Sequence, residues 1–441
     1  MKRRLAIALL ACAPIAAAAE NLTQVYEDAR AYDAQFGAAR EALRAGLERV
    51  PQGRALLLPS LNLSANASRS RTRSDSKDET VQPSFERDID SYGYALTFTQ
   101  PLYRRQNWLQ ADEGEVQAKQ AEFQFGQARQ DLILRAAQAY FDVLAARDTL
   151  ALVRAQKIAI AEQLAQAKRN FEVGTATITD THEAQARYDL AVAQEISAQN
   201  DVEVRRRALQ QLTGKAYGEL QGLRPDVKLS PPDPNDMQSW VDLAEKQSYS
   251  VLVQDAAAEI AGLEAKRTSA GHHPTLDLVA SHNYTSQSAS QISSAGSDIN
   301  TSSVGLQFAL PLYQGGAISS REREAAYNLE RAKQELENAR RTSALASRQA
   351  YLAVINGIAQ VSALEQALVS SQSALQSNRL GYEVGVRINI DVLNAQQQVF
   401  STRRDLAVAR YNTITNFLKL KAAAGALREE DLAEVNRALA Q

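Results

Sequence analysis

Apolar and polar positions alternate residue by residue in four stretches of the chain. Leu61, Leu63, Ala65 and Ala67 are interleaved with Asn62, Ser64, Asn66 and Ser68, and Tyr92, Tyr94, Leu96 and Phe98 with Gly93, Ala95, Thr97 and Thr99. Leu276, Leu278, Ala280, His282 and Tyr284 make a third row, and Val304, Leu306, Phe308 and Leu310 a fourth. A period of two sends successive side chains to opposite faces of a strand. Held for about ten residues, it suits a membrane barrel strand with one face to lipid and one to water. A soluble antiparallel sheet carries the same pattern. The predicted strands are 60–72, 91–101, 275–285 and 302–311. The charged segment from Arg69 to Ser91 and the Ser-, Gln- and Gly-rich segment from Thr285 to Ser303 are expected as cell-surface loops.

Beyond each strand pair the period changes. Ala139, Val143, Ala146, Leu150, Val153, Lys157, Ile160, Leu164, Ala167 and Phe171 step by four and three. Ala350, Val354, Gly357, Val361, Leu364, Leu368, Ser371, Leu375, Asn378 and Tyr382 repeat those steps. Both are coiled-coil seams, interrupted by Lys157, Ser371 and Asn378. Long helices are expected over 104–171 and 314–382, each about 100 Å at ~1.5 Å per residue. Gly174 and Gly385 mark their ends, since glycine accepts the left-handed turn that closes a helix. Asp180 and Asp391 then stand before the returning helices 182–213 and 391–421, Asp180 with Glu183 resembling a capping box. Further helices are expected over 21–56 and 238–270, stacked end to end on the returning ones.

The chain is written twice. Pro101-Leu102-Tyr103 recurs as Pro311-Leu312-Tyr313, Ala139-Tyr140 as Ala350-Tyr351, Phe171-Glu172-Val173-Gly174 as Tyr382-Glu383-Val384-Gly385, and Gly214 as Gly425. The organisation read from this is a leader 1–19, a first repeat 20–214, a linker 215–237, a second repeat 238–425 and a tail 426–441. The proline-rich linker and the tail are expected to pack around the middle of the helical region.

Met1-Lys2-Arg3-Arg4, an apolar run from Leu5 to Ala11 and Ala16–Ala19 form a secretory signal, cut between Ala19 and Glu20. The only cysteine, Cys12, lies in that leader, so the exported chain carries no thiol. Its loss takes three cations from a chain of formal charge −2. Nothing here makes the concentrated basic face that nucleic acid requires. No apolar run long enough for a spanning helix is visible after residue 19, which leaves a barrel as the route into a membrane. The four histidines share no ligand spacing, and no nucleophile stands with a placed base. No cofactor, no metal and no enzymatic activity are expected.

Glu20-Asn21-Leu22-Thr23-Gln24-Val25-Tyr26, the two Pro-Leu-Tyr anchors, Gln314-Gly315-Gly316 and the two Val-Gly tips together resemble the TolC family of outer membrane efflux proteins, the outer membrane factors. The resemblance spans nearly the whole mature chain. It implies a mainly α homotrimer whose chains each give four strands to a twelve-stranded barrel, continuous with a long α-helical coiled-coil tunnel. The implied function is a passive exit duct, in the outer membrane of a Gram-negative bacterium, for a tripartite efflux pump or a type I secretion system. A periplasmic adaptor (membrane fusion) protein and an inner-membrane pump of RND or ABC type are the implied partners, with outer-membrane lipid around the barrel. Carried over by position, the adaptor would meet Val173, Gly174, Thr175, Val384, Gly385 and Val386. Gate links would join Tyr382 and Arg387 to Asp180, and Arg387 to Thr179. Asp391 matches the pore-constriction aspartate, and Asn394 stands where the family places a second one. The competing reading is a structural or adhesive coiled-coil protein of the outer membrane without a pore.

Overall fold

The computed structural model describes residues 20–75, 77, 80, 84–224, 227–289 and 295–439. The leader with Cys12, and Pro225 of the linker, lie outside the described residues. In chain order the elements are α1 (Leu22–Tyr32), α2 (Ala34–Leu47), α3 (Arg49–Ala55), β1 (Ser60–Ser74), β2 (Phe85–Tyr103), α4 (Arg105–Glu172), α5 (Ile178–Thr213), α6 (Met237–Gln247) and α7 (Tyr249–Ser269). A 3-10 turn (Ala270–His272), β3 (Thr275–Gln287), β4 (Ser297–Ala309), α8 (Ala317–Glu383), α9 (Asn389–Ala423) and α10 (Glu429–Arg437) follow. Two compact units divide the chain: Met1–Arg40, Phe125–Tyr249 and Arg340–Gln441 form one, and Glu41–Gln124 with Ser250–Ala339 the other.

The second unit holds a four-stranded antiparallel sheet in the order β1-β2-β3-β4. Its register sorts the side chains into two chemistries. One face carries Leu61, Leu63, Phe98, Leu96, Tyr94, Tyr92, Tyr284, Leu278, Val304, Leu306 and Phe308; the other carries Asn62, Ser64, Asn66, Thr97, Thr99, Ser281, Asn283, Thr301 and Ser303. Tyr92, Tyr94, Tyr284 and His282 cluster on the apolar face, with Tyr94 and Tyr284 5.6 Å apart. Pro101 cannot donate to the ladder, and a register shift follows it. That shift sets Tyr103 opposite Leu276, which aims it to the apolar face. There Tyr103 meets Trp108 edge-on at 5.4 Å. Where β2 turns into α4, Arg104 grips the buried Asp277 of β3 with two hydrogen bonds of 2.8 and 2.6 Å.

The two expected loops are shorter than read from the sequence. β1 and β2 stay paired out to Ser74 and Phe85, and β3 and β4 out to Gln287 and Ser297. The charges of the first segment are themselves strand-patterned: Arg69, Arg71 and Arg73 face Asp90, Asp88 and Glu86 across the hairpin. Opposite charges placed directly across an antiparallel pair stabilise it.

In the first unit, Leu22, Val25 and Tyr26 of α1, Leu132, Ile133, Tyr140 and Phe141 of α4, Leu209 of α5 and Leu418 of α9 enclose one core. Each such side chain contributes about 1.5–3 kcal/mol when fully buried. The linker and the tail enter that core through Leu220, Leu427, Leu432 and Leu439. Glu20 bridges Leu220 in parallel, and Leu223 bridges Leu439 antiparallel, so start, linker and tail are stitched together. Tyr140 donates to the linker carbonyl of Gln221 at 2.7 Å. Its repeat counterpart Tyr351 donates to Asn235 at 2.9 Å. The tail is partly helical, as α10. The polar seam positions find local partners. Lys157 bonds Glu195 of α5, while Ser371 and Asn378 bond carbonyls of their own helix.

Three further sequence expectations change. The helix expected over 21–56 is three helices; Asp33 is extended, and its carboxylate accepts from Phe36 N–H to start α2. The helix expected over 238–270 breaks at Ser248, also extended. Finally, α8 does contain an 18-residue window apolar enough by composition to cross a membrane, though only 11% of it is buried within this chain. Its apolar residues are spaced with Asn, Gly, Ser and Gln rather than with charges, which raises the hydropathy of that window.

Candidate functional site

The two helix-to-helix corners of the first unit are copies of one turn. After α4, Gly174 takes φ +80, and after α8 Gly385 takes φ +78. Thr175 N–H and Ala176 N–H donate back to Asn170 C=O at 2.8 and 3.2 Å; Val386 N–H and Arg387 N–H donate to Gly381 C=O at 2.8 and 3.0 Å. A side chain at either glycine would force a strained left-handed residue. Around these turns Val173, Val384, Val386, Ile178 and Ile388 stay exposed, Val386 at 78%. Large apolar side chains grouped at a turn and left in water mark a contact surface.

The corners differ in how the next helix begins. Thr177 caps α5: its hydroxyl accepts from Asp180 N–H at 3.2 Å, and the Asp180 carboxylate accepts from Thr177 N–H at 2.9 Å and from its hydroxyl at 2.7 Å. Asp180 is therefore the third helical residue of a Thr177 capping box, and not a cap paired with Glu183. The matching position before α9 is Ile388, which has no capping side chain. Asn389, buried to 1% exposure, instead ties α9 to the first hairpin: it accepts from Gln163 of α4 at 2.7 Å and donates to Asp180 C=O at 3.4 Å. Two more links follow the same line. Asn170 donates to the Tyr382 hydroxyl at 3.1 Å. Arg187 of α5 donates to Gln397 at 2.6 Å and to Asn394 at 2.9 Å, both on α9. Beneath them Leu164, Ala167, Ala184 and Leu393 form a small apolar core.

Of the residues read from the sequence, Val173, Gly174, Thr175, Val384, Gly385 and Val386 all lie in the two turns. Tyr382, Arg387, Asp180 and Thr179 are near them, but the expected links are not made within one chain. The Asp180 carboxylate is engaged by Thr177, Tyr382 by Asn170, and Arg387 by Asp391 at 3.5 Å, while Thr179 is exposed on the first turn of α5. Arg387 precedes the first residue of α9 and reaches the carboxylate of that helix's own first turn. Asn394 does contact the other hairpin, through Arg187. Sequence reasoning missed Gln163, Asn170, Arg187 and Asn389. One signal was present: aligning the repeats sets apolar Ile388 where Thr177 stands, leaving α9 without its own cap.

Further up, a groove of about 590 Å³ runs between α4, α5 and α9, lined by Gln156, Gln194, Ala198, Phe400 and Arg404 among others. No group of three or more His, Cys, Asp or Glu side chains is arranged to hold a metal among the described residues.

The sequence profile of the outer membrane efflux protein family matches residues 25–215 and 240–426, one match to each repeat. The outer membrane protein TolC of Vibrio cholerae is 36% identical over 423 residues, covering 96% of this chain and 94% of that protein. The proteases secretion protein PrtF of Dickeya chrysanthemi is 33% identical over 424 residues, covering 95% and 91%. Among solved structures, the outer membrane protein VceC of Vibrio cholerae superposes with a TM-score of 0.75 at 18% identity, covering 92% of this chain and 96% of that one.

Proposed function

Because the chain belongs to the outer membrane efflux protein family, we propose that its paired hairpin tips are the adaptor-docking end and the gate of the duct. The protein is an outer-membrane channel, the exit duct of efflux and secretion machinery, and works as a trimer. The amphipathic sheet agrees with that placement. Its apolar row suits lipid and its Ser, Thr and Asn row suits a water-filled lumen. Four strands leave β1 and β4 with open edges, which hydrocarbon does not tolerate and a closed ring of chains removes.

The observation that carries the tip assignment is the exposed apolar set Val173, Val384, Val386 and Ile388 on two congruent turns. A periplasmic adaptor would seat there and along the groove beside Phe400, delivering cargo from an inner-membrane pump of RND or ABC type. Passage through the duct needs no chemistry from this chain. The gate is held by the weak polar links between the first hairpin and α9. Asp391, repeated by the symmetry of the trimer, would set a ring of carboxylates that favours cations. Asn394 in place of a second carboxylate lowers that ring charge.

Single-channel conductance in planar bilayers tests this reading. Small, cation-favouring openings are expected for the wild type, and larger ones for Arg387→Ser combined with Tyr382→Phe, which removes the Asn170 link. A pore indifferent to the change would discard the Tyr382 and Arg387 links and leave any gate to Gln163, Asn389 and Arg187. A folded trimer with no conductance would favour a structural or adhesive coiled-coil protein instead.

A further inference from the structure

We infer that the first hairpin carries a binding site for the phosphate groups of the outer-leaflet glycolipid, formed by Arg69 and Arg71 on the lipid-facing side of the barrel. The inference rests on register. On β1, Leu61, Leu63, Ala65 and Ala67 continue without a slip into Arg69, Arg71 and Arg73. On β2, Phe98, Leu96, Tyr94 and Tyr92 continue into Asp90, Asp88 and Glu86. The charged ladder therefore stands on the same face as the apolar row, not on the lumen face. At its level the lumen face carries Ser70, Thr72, Ile89 and Arg87 instead, with Arg87 lying over the Phe85 ring.

Height follows from the aromatic residues. Tyr103 and Tyr94 are nine positions apart on β2. At about 3.4 Å per residue and a tilt of about 40°, that spans roughly 24 Å, the height of a barrel's apolar band. Tyr92, Tyr94 and Tyr284 then form the girdle at the end away from the helices, on the cell-surface side. By the same conversion, Arg69, opposite Asp90, lies about 5 Å beyond Tyr92, and Arg71, opposite Asp88, about 10 Å. Against a headgroup layer of about 5–7 Å on each side of the core, Arg69 lies within it and Arg71 at its outer rim.

The arginines are held ready for an outside anion. Arg71 spends Nε and one Nη on Asp88, at 2.7 and 3.1 Å, and its side chain remains 69% exposed. Arg69 stands 3.4 Å from Asp90 and 4.0 Å from Asp88, 72% exposed. The carboxylates across the hairpin extend the two guanidiniums in one row while leaving donors free. A planar fork of donors matches phosphate oxygens. The apolar row below already faces acyl chains, so the occupant is the headgroup of a lipid in that same leaflet.

The test uses the purified full-length trimer in phospholipid vesicles containing lipopolysaccharide, scored as glycolipid retained per trimer after mild extraction. Arg69→Gln with Arg71→Gln should lower retention at least threefold. Asp88→Asn with Asp90→Asn releases the arginines from their partners and should leave retention equal or higher. Chemically dephosphorylated glycolipid should bind wild type no better than the arginine variant binds the native lipid. Trimer mobility on unheated gels reports that each variant is folded. Unchanged retention in the arginine variant would overturn the site. So would equal loss in both variants, which makes the ladder a folding element alone, or full binding of the dephosphorylated lipid.

Discussion

Replacing Arg187 by alanine should open the duct. Arg187 is half-buried and spends both Nη groups on α9, at 2.6 Å to Gln397 and 2.9 Å to Asn394. Hydrogen bonds from a charged donor stabilise by about 1.5–3 kcal/mol when buried, and about 1 kcal/mol each is a fair figure at this exposure. Losing both costs about 2 kcal/mol per chain, or roughly 30-fold in the balance between tethered and released α9. If three symmetry-related tethers release together, the sum is about 6 kcal/mol, enough to move a two-state gate from nearly always closed to nearly always open. Bilayer recordings of Arg187→Ala should show longer and larger openings than wild type, and Asn394→Ala about half the effect in free energy. The pair combined should add little to Arg187→Ala, because the shared bond is already gone. Wild-type conductance and dwell times in Arg187→Ala would refute the reasoning, since both of these bonds from that side chain would be gone.

Other consequences are independent of the gate. Gly425→Ala should abolish stable trimer, because φ is +73 and a Cβ would sit 2.1 Å from Gln247 C=O, whereas Gly174→Ala, in open space at φ +80, should cost only about 1–2 kcal/mol in thermal unfolding. Burial pushes the Asp148 carboxyl above its ordinary value, against the hydrogen bond it accepts from Tyr411. The ionised form is thus disfavoured by folding, so this cost is present at neutral pH and fades as pH falls through the raised pKa toward the ordinary carboxylate range. Asp148→Asn should therefore be more stable than wild type at pH 7 and lose that advantage near pH 4; an equal difference at both would contradict it. Burial also acts to raise Asp33, but hydrogen bonds from Arg135 and Phe36 N–H outweigh it and the pKa ends low. That stabilisation is complete at neutral pH and is lost only in acid, below the ordinary carboxylate range. Arg135→Ala should destabilise by about 2–3 kcal/mol at pH 7 in denaturant titration, less than a fully buried pair because the arginine is part-exposed.

Periodicity carried most of the architecture. Period two located all four strands, and the four-three seam located both long helices, because each element is long enough for its pattern to outlast local exceptions. What it missed was set by single residues. Asp33 and Ser248 break helices through backbone conformation, and nothing in their neighbours' hydropathy says so. The charged hairpin reads as a loop when charge is equated with solvation; the alternation of Arg with Ser and Thr over 69–74 is itself a strand signal. At the tips, the turns were legible from Val-Gly, but the bonds were not. A carboxylate such as Asp180 satisfies its own capping box before it can serve a distant tyrosine, and only coordinates reveal that competition.

On the proposed gate, the divergence between the two repeats would let the second hairpin move while the first stays. A helix start that carries its own cap keeps its first turn whatever its neighbours do, and Thr177 with Asp180 gives α5 that independence. Ile388 gives α9 none, so the uncapped amides of its first turn gain order chiefly from how Asn389 is held by Gln163 and Asp180. Release of the second hairpin in that gate would fray its own N-terminus as well as break contacts, and so couple local order to opening. Ile388→Thr would restore the cap that repeat one possesses, with Asp391 standing where Asp180 does. It should raise the order of α9 without touching an inter-hairpin bond. Hydrogen exchange at residues 389–393 is the measure: slower exchange with unchanged conductance would mean that the gate is held by the links alone. Slower exchange with altered gating would mean that the missing cap is part of the device.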